Sequence, residues 1–268
     1  MAIGHHHNHN HTLATELVIS SVDGESAGKS RGQLFVSILM MLWDAHGYYW
    51  YGYEVVGWDR IPRTGPALLV YYHGCIAMDY MLLVTKVLFG KHRVIHTVSD
   101  NFLFMIPGCR QLMVKLRALQ GRPNECIRQL NAGHLLSIAP GGVREGQFGD
   151  NRYRLLWNNR QGFARVAREA RVPIIPLFTR NLRESFRSVK WCQRLLRPLY
   201  EWSRLPLVPF YGGFPVKLTT YVGEPIPYDS GVSVDQLALR TKRAVERLIR
   251  ENQRIPGNIW DAICDRFY

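Results

Sequence analysis

His73 and Asp79 are the residues of this chain whose types and spacing point most directly to chemistry. An aspartate that accepts from one imidazole nitrogen holds the other as an unprotonated acceptor and stabilises the imidazolium formed when a proton is taken. A base oriented in this way typically contributes about 10²–10⁴-fold in rate. The same aspartate would also cap a helix beside a structural histidine, so the pair alone leaves both readings open. Further along, Ala139-Pro140-Gly141-Gly142-Val143-Arg144-Glu145 adds two glycines that allow close backbone approach, followed by an arginine and a glutamate. Amides around Gly141 and Gly142 suit an oxyanion, or the glycines simply make a tight turn after a strand.

Something must hold these groups together. The run 66–72 is apolar and β-prone, bounded by Thr64-Gly65 and His73-Gly74, and reads as an interior strand. Helical character follows over 78–89. That places His73 at a strand's carboxyl end and Asp79 in the turn or first helical turn beyond it, within hydrogen-bonding reach. Further strands are predicted near 93–98, 135–139, 173–178 and 217–222, and helices near 101–119, 124–131, 160–170, 185–203 and 234–252. This alternation predicts an α/β fold, a single mainly parallel sheet flanked by helices. No repeat or low-complexity linker interrupts it, so one domain suffices.

Composition narrows the partners. The 268 residues are enough for one large core, and a formal net charge of +13 with a pI near 9.8 favours nucleic acid, anionic headgroups or a polyphosphate. No zinc-finger or RNA-recognition signature accompanies the charge, which argues against nucleic acid. Five scattered cysteines without a C-x-x-C pair indicate neither a disulfide framework nor a zinc site, and suit a reducing compartment. Cys75, close to His73, reads as a small buried residue rather than a thiol nucleophile.

Residues 1–30 form a His-rich, polar tail expected to be disordered, without a signal peptide. Within it, 24–28 fits G-x-S-x-G, but no apolar helix follows for a nucleophile elbow. Its continuation into Lys29-Ser30 has Asp23 where a P-loop requires glycine. Segment 31–57 is hydrophobic and aromatic. The apolar stretch 34–43 would cover only about 15 Å as a helix, too short to span a bilayer. Tyr48, Tyr49, Trp50, Tyr51 and Tyr53 crowd behind it as residues do at a membrane interface, so a re-entrant or interfacial membrane-associating segment is expected, with a core helix as the alternative. A second membrane contact is expected on a basic amphipathic helix over 185–203. There Arg187, Lys190, Arg194 and Arg197 recur at helical spacing, with Arg183 and Arg204 beside them and Phe186, Val189, Leu196, Leu199 and Tyr200 on the neighbouring face.

Six ordered blocks carry a resemblance. His73-Gly74 with Asp79, the segment 137–145, Arg160-Gln161-Gly162-Phe163-Ala164, Val172-Pro173-Ile174-Ile175-Pro176, the segment 211–218 and Arg254-Ile255-Pro256-Gly257-Asn258-Ile259 together resemble the glycerolipid acyltransferases. Within that superfamily they are similar to the branch of transmembrane protein 68, which has five residues between histidine and aspartate, as here. Ala77 stands where that branch commonly has proline.

The resemblance covers about Gly52 to the C-terminus and implies an acyltransferase domain over 58–268. It implies transfer of a fatty acyl group from acyl-CoA to a glycerolipid hydroxyl, with His73 as general base and Asp79 orienting it. Gly74, Gly141, Gly142, Arg144 and Glu145 would contact substrate. Acyl-CoA would be a co-substrate, with no metal and no resident cofactor. Gly-Gly-Val-Arg-Glu departs from the superfamily's usual order around its acceptor-binding arginine. A neutral acceptor, diacylglycerol or monoacylglycerol, is therefore expected, with Arg144 and Glu145 as a structural or positioning pair. The alternatives are a lysophospholipid or lysophosphatidate acceptor, with Arg144 on the phosphate, and a silent lipid-binding scaffold. The resemblance also implies the endoplasmic reticulum membrane, with the site facing the cytosol.

Overall fold

The computed structural model describes residues 31–106, 110, 113–114 and 116–267; the His-rich tail lies outside them. The described residues begin with α1 (Arg31–Tyr51) and β1 (Glu54–Val56), then β2 (Ala67–Tyr71), α2 (Met78–Lys91), β3 (Ile95–Val98), α3 (Asn101–Met105) and β4 (Ala118–Leu119). The chain continues through α4 (Pro123–Asn131), β5 (Leu135–Ile138), α5 (Gly142–Phe148), α6 (Gly162–Ala170), β6 (Ile174–Arg180), α7 (Leu182–Ser185) and β7 (Phe186–Ser188). Then come α8 (Lys190–Ser203), β8 (Phe210–Gly212), β9 (Thr219–Val222), α9 (Val234–Asn252) and α10 (Ile259–Phe267).

Seven strands form one sheet in the order β1-β9-β6-β2-β5-β3-β4, parallel except where β9 runs against β6. Strand β2 is its centre, with Leu69 opposite Ser137 on β5 and Ile175 on β6. Every residue of β2 is buried, because helices cover both faces. Leu68, Val70 and Tyr72 pack into one core with Leu136, Phe163, Ile174 and Phe178. Ala67, Leu69 and Tyr71 pack into the other with Leu82, Val87, Ile175 and Leu177, which is the two-residue alternation of a strand buried on both sides. Since β2, β5 and β3 are adjacent and parallel, the segments leaving their carboxyl ends converge in one crevice. Those segments carry His73, the 139–142 turn and Asp100.

Two predicted helices are shorter than their sequence patterns. The one expected over 101–119 is broken after Met105, because Ile106 precedes a proline and takes an extended conformation; Arg110, Met113 and Val114 are again helical, and Ala118–Leu119 form β4. The one expected over 185–203 begins at Lys190, because 186–188 pair antiparallel with β8 instead.

The N-terminal hydrophobic segment also needs correction. Among the described residues, no helix is long and apolar enough to cross a membrane. Asp44, His46 and Gly47 break the apolar run of α1 without breaking the helix, and its second half packs on α2: Asp44 meets Lys86 at 3.4 Å and Gly47 lies against Leu82. Tyr51 and Tyr53, expected at an interface, are buried in the core, whereas Tyr48, Tyr49 and Trp50 remain exposed. Arg266 on α10 donates to the carbonyls of Tyr48 and Tyr49, and the Trp50 indole donates to Gly213 O. The alternative of a core helix with aromatic packing accounts for this half of the segment, and β1 then joins the main sheet beside β9.

Candidate active site

The crevice at the carboxyl ends of β2, β5 and β3 is a cavity of about 600 Å³. Its walls are mostly apolar, with Ile76, Met81, Val84, Phe102, Leu103 and Met113 among them; His73, Ser99, Asp100, Gln147 and Arg160 supply the polar points. A long hydrocarbon suits such a lining.

His73 leaves β2 with its ring stacked towards Tyr71, which stacks in turn on Tyr80. Its Nδ1 lies 2.6 Å from Gly74 O. A carbonyl oxygen only accepts, so Nδ1 carries the proton and Nε2 is the unprotonated nitrogen. Burial lowers the pKa of His73 below the ordinary histidine value, against opposing effects of the Gly74 bond and of Asp100. The ring is therefore neutral at pH 7 and able to accept a proton.

The hydrogen bond expected between His73 and Asp79 is not made, since Nδ1 gives its only proton to Gly74 O. Asp79 sits in the first turn of α2, 4% exposed, and accepts from the Thr179 hydroxyl on β6. Thr179 Oγ1 lies 2.8 Å from Thr220 Oγ1, which lies 2.8 Å from Tyr53 OH, so a chain of buried hydroxyls ends on the carboxylate. Burial raises the Asp79 pKa to about 6, offset in part by Thr179 and by amides of the helix start.

Glu145 lies where sequence placed it, but it serves the histidine rather than a substrate. It is fully buried; Oε2 accepts from the His73 amide and Oε1 from the Leu156 amide, each at 2.9 Å. Burial pushes its pKa up to about 7 against these bonds and the charge of Arg183. Arg144 points away from its neighbour and from the cavity: its guanidinium pairs with Glu201 on α8 at 3.2 Å. The expected Arg144–Glu145 pair is thus two separate contacts, because consecutive residues of a helix face different directions.

The glycines act mainly by lacking side chains. A Cβ on Gly74 would enter the Leu182 side chain, and one on Gly141 would strike the Glu145 carboxylate. Gly142 lines the cavity with φ +51°, and its amide donates to Ala139 O at 3.0 Å, so this N–H is not free for an oxyanion. Cys75 also lines the cavity, its Sγ 3.3 Å from Ser188 Oγ, and burial raises its pKa, which keeps it a thiol.

Three residues of the site were missed in the sequence. Arg183, read there as part of a membrane-facing helix, is buried on α7. It donates to Tyr72 OH and to the carbonyls of Glu145 and Gly146, tying the end of β2 to α5. Gly146 packs against the histidine's turn: a Cβ there would sit 2.6 Å from Gly74 O and 3.0 Å from His73 Nδ1. Arg160 clamps the 139–142 turn from the cavity wall through Pro140 O and Gly141 O at 2.9 and 3.1 Å. The glycine four residues after Gly142, and an arginine in a run rich in strand and helix signals, were the available cues. Arg187 is likewise not on the surface helix; it pairs with buried Glu184 at 3.3 Å and donates to Gly257 O. No group of three or more His, Cys, Asp or Glu suited to a metal ion occurs among the described residues.

Comparison with known proteins identifies the family and the fold. Residues 52–180 match the family model described as Acyltransferase. The chain is 50% identical over 227 residues to a human protein named "DGAT1/2-independent enzyme synthesizing storage lipids", covering 85% of this chain and 70% of that one. The chicken protein of the same name is 46% identical over 230 residues, covering 86% and 69%. The crystal structure of the 1-acyl-sn-glycerophosphate acyltransferase PlsC from Thermotoga maritima superposes with a TM-score of 0.54 at 16% identity, over 90% of this chain and 96% of that one, and so shares the fold.

Proposed function

The chain belongs to the glycerolipid acyltransferases, in the branch of transmembrane protein 68, and on that premise we propose that it acylates a neutral glycerolipid hydroxyl using acyl-CoA. Diacylglycerol or monoacylglycerol would be the acceptor and triacylglycerol or a related neutral or ether lipid the product. The observation that carries the mechanism is the His73 ring, fixed through Nδ1 on Gly74 O and lining a largely apolar cavity.

In this reading Nε2 takes the hydroxyl proton as the lipid oxygen attacks the thioester carbonyl. The carbon–oxygen bond forms, the carbon–sulfur bond breaks, and the proton passes from Nε2 to the departing sulfur. No acyl-enzyme is required, in keeping with the raised pKa of Cys75. The oxyanion would be met at the first turn of α5, where Val143 lines the cavity beside Gly142 and early helix amides lack partners within the helix. Asp79 would favour the imidazolium as a buried charge and not as a ring partner in this geometry.

The neutral acceptor is favoured because Arg144 is committed to Glu201, and Arg160, the one Lys or Arg among the described cavity-lining residues, is committed to two carbonyls. A lysophosphatidate acceptor would require one of these contacts to break. The relatives named for storage-lipid synthesis support the same choice. A site on the cytosolic face of the endoplasmic reticulum membrane belongs to this proposal, supported by the free state of Cys75, Cys126, Cys192 and Cys264. The test is incorporation of labelled oleoyl-CoA by membranes carrying wild type or His73→Ala, with diacylglycerol, monoacylglycerol and lysophosphatidate offered in parallel. Transfer to the neutral lipids that needs His73 is expected; equal activity of the alanine variant would refute the base, and transfer to lysophosphatidate alone would refute the acceptor.

A further inference from the structure

Helix α8 presents three faces where an ordinary surface helix presents two. At about 100° per residue, Trp191, Leu195, Leu199 and Trp202 fall within roughly 80° of one another. All four are exposed, at 70%, 68%, 41% and 84% respectively. Cys192 and Tyr200 lie on the next face and are buried. Lys190, Arg194 and Arg197 occupy the third, exposed to solvent and without an ion pair among the described residues. Of the apolar side expected from sequence, Tyr200 is buried, Phe186, Val189 and Leu196 are half-buried and Leu199 alone lies in the exposed stripe, which has no partner among the described residues.

This stripe continues towards the cavity. Leu205 and Leu207 are exposed beyond the end of α8, and Pro206 between them lines the cavity itself. We propose that the Trp191–Leu195–Leu199–Trp202 stripe and the 205–207 strap lie in the interfacial layer of an anionic bilayer, so that the cavity opens at the membrane beside Pro206. Tryptophan and leucine flanked by unpaired cations is the composition of an interfacial helix, with its polar face towards headgroups. The three free cations complement anionic lipid, and lysine beside such a stripe is unlike the core of a protein interface. The inference rests on the acyltransferase reading only for its purpose, which is to pass a water-insoluble acceptor from bilayer to His73 without crossing water.

The test reads membrane contact directly and needs no activity. The full chain has seven tryptophans, and brominated phosphatidylcholine–phosphatidylserine vesicles quench those that enter the bilayer. The conservative Trp191→Phe/Trp202→Phe variant is expected to lose about half or more of the vesicle-dependent quench, and Leu195→Glu/Trp202→Glu to lower vesicle recovery about tenfold. Replacing phosphatidylserine by phosphatidylcholine should lower recovery of the wild type as well. An unchanged fractional quench in the phenylalanine variant would overturn the proposal, placing the contact at other tryptophans such as Trp43 or Trp50. So would a glutamate variant that dissolves a self-associated form while wild type ignores vesicles, which would mark the stripe as an interface between copies.

Discussion

Replacing Glu145 by Gln tests the claim that this carboxylate works on the His73 backbone and not on substrate. The change keeps shape but turns one acceptor into a donor, and the side chain faces two amide donors, His73 N and Leu156 N. One of them must lose its partner, at about 1–3 kcal/mol for a buried amide. Against this stands the charge. The Glu145 pKa lies at about 7 in the folded chain against an ordinary 4.5, so its ionisation in the fully buried site opposes folding by roughly 3 kcal/mol at pH above 7. The sign follows from proton counting: between pH 4.5 and 7 the folded state keeps a proton that the unfolded state releases. Stability from this group is complete below about 4.5 and is lost as pH rises through about 7. Urea unfolding of wild type and Glu145→Gln in matched detergent at pH 5 and 7.5 reads this directly. The variant should be the less stable at pH 5, and the gap should close by about 2 kcal/mol or invert at 7.5. Activity should fall at both pH values, because the histidine's anchor is loosened at both. A gap independent of pH, or a variant with full activity, would refute the assignment.

Gly146→Ala should keep the fold by circular dichroism and lower kcat about tenfold or more, since the new methyl group displaces Gly74 O and with it the Nδ1 partner. Full activity would mean that the ring does not depend on that carbonyl. Cys75→Ala should retain activity within about threefold, as fits a buried thiol; complete loss would reinstate it as a nucleophile. Arg144→Gln should leave transfer to diacylglycerol within about threefold, and a large rise in KM would instead place Arg144 on the acceptor. Arg183→Met should cost about 3 kcal/mol or more, with Arg183→Lys restoring only part, because one ammonium cannot reproduce the fork that serves Tyr72, Glu145 and Gly146. Near-complete rescue by lysine would reduce the contact to simple charge.

Much of the frame was legible in the sequence because it depends on runs of residues. The β2 strand, its neighbours β5 and β6 and the long α9 helix follow from apolar periodicity and flanking turns, and they bring His73 and the 139–142 turn together. Side-chain partnership was less legible, because it depends on direction. Asp79 is the right residue in the right turn, yet its carboxylate is drawn to Thr179, a strand away, and the ring is satisfied one residue from itself. Arg183 illustrates the converse. Its spacing to Arg187 and Lys190 reads as one side of a helix, but strand pairing over 186–188 breaks that helix and turns the guanidinium inward. Aromatic clusters such as 48–53 carry the same ambiguity, since buried and interfacial tyrosines differ only in what packs on them.

The placement of charge within the site explains why so many carbonyls and amides, and so few side chains, hold His73. A general base must be neutral before reaction and cationic during it, so a carboxylate bonded to its ring would raise its pKa and reduce the neutral fraction in a buried cavity. A carbonyl at Nδ1 fixes the tautomer with a weaker effect, and burial then keeps the ring neutral. The two buried carboxylates stand one step away: Glu145 on the His73 backbone and Asp79 on the Thr179 chain, with Arg183 bonded to the carbonyl of Glu145. In the proposed mechanism Asp79 would act on the imidazolium without a direct bond, as Asp100 on the cavity wall does. On this design, Asp79→Asn should lower kcat with little change in stability at pH 3, where the carboxyl is largely protonated in both the folded and the unfolded chain. Moving Nδ1 off Gly74 O, as Gly146→Ala does, should then compound that loss and not merely repeat it. Equal activity of Gly146→Ala/Asp79→Asn and the single Asp79→Asn variant would show that the carbonyl and the carboxylate act through the same ring orientation, and the separation drawn here would fail.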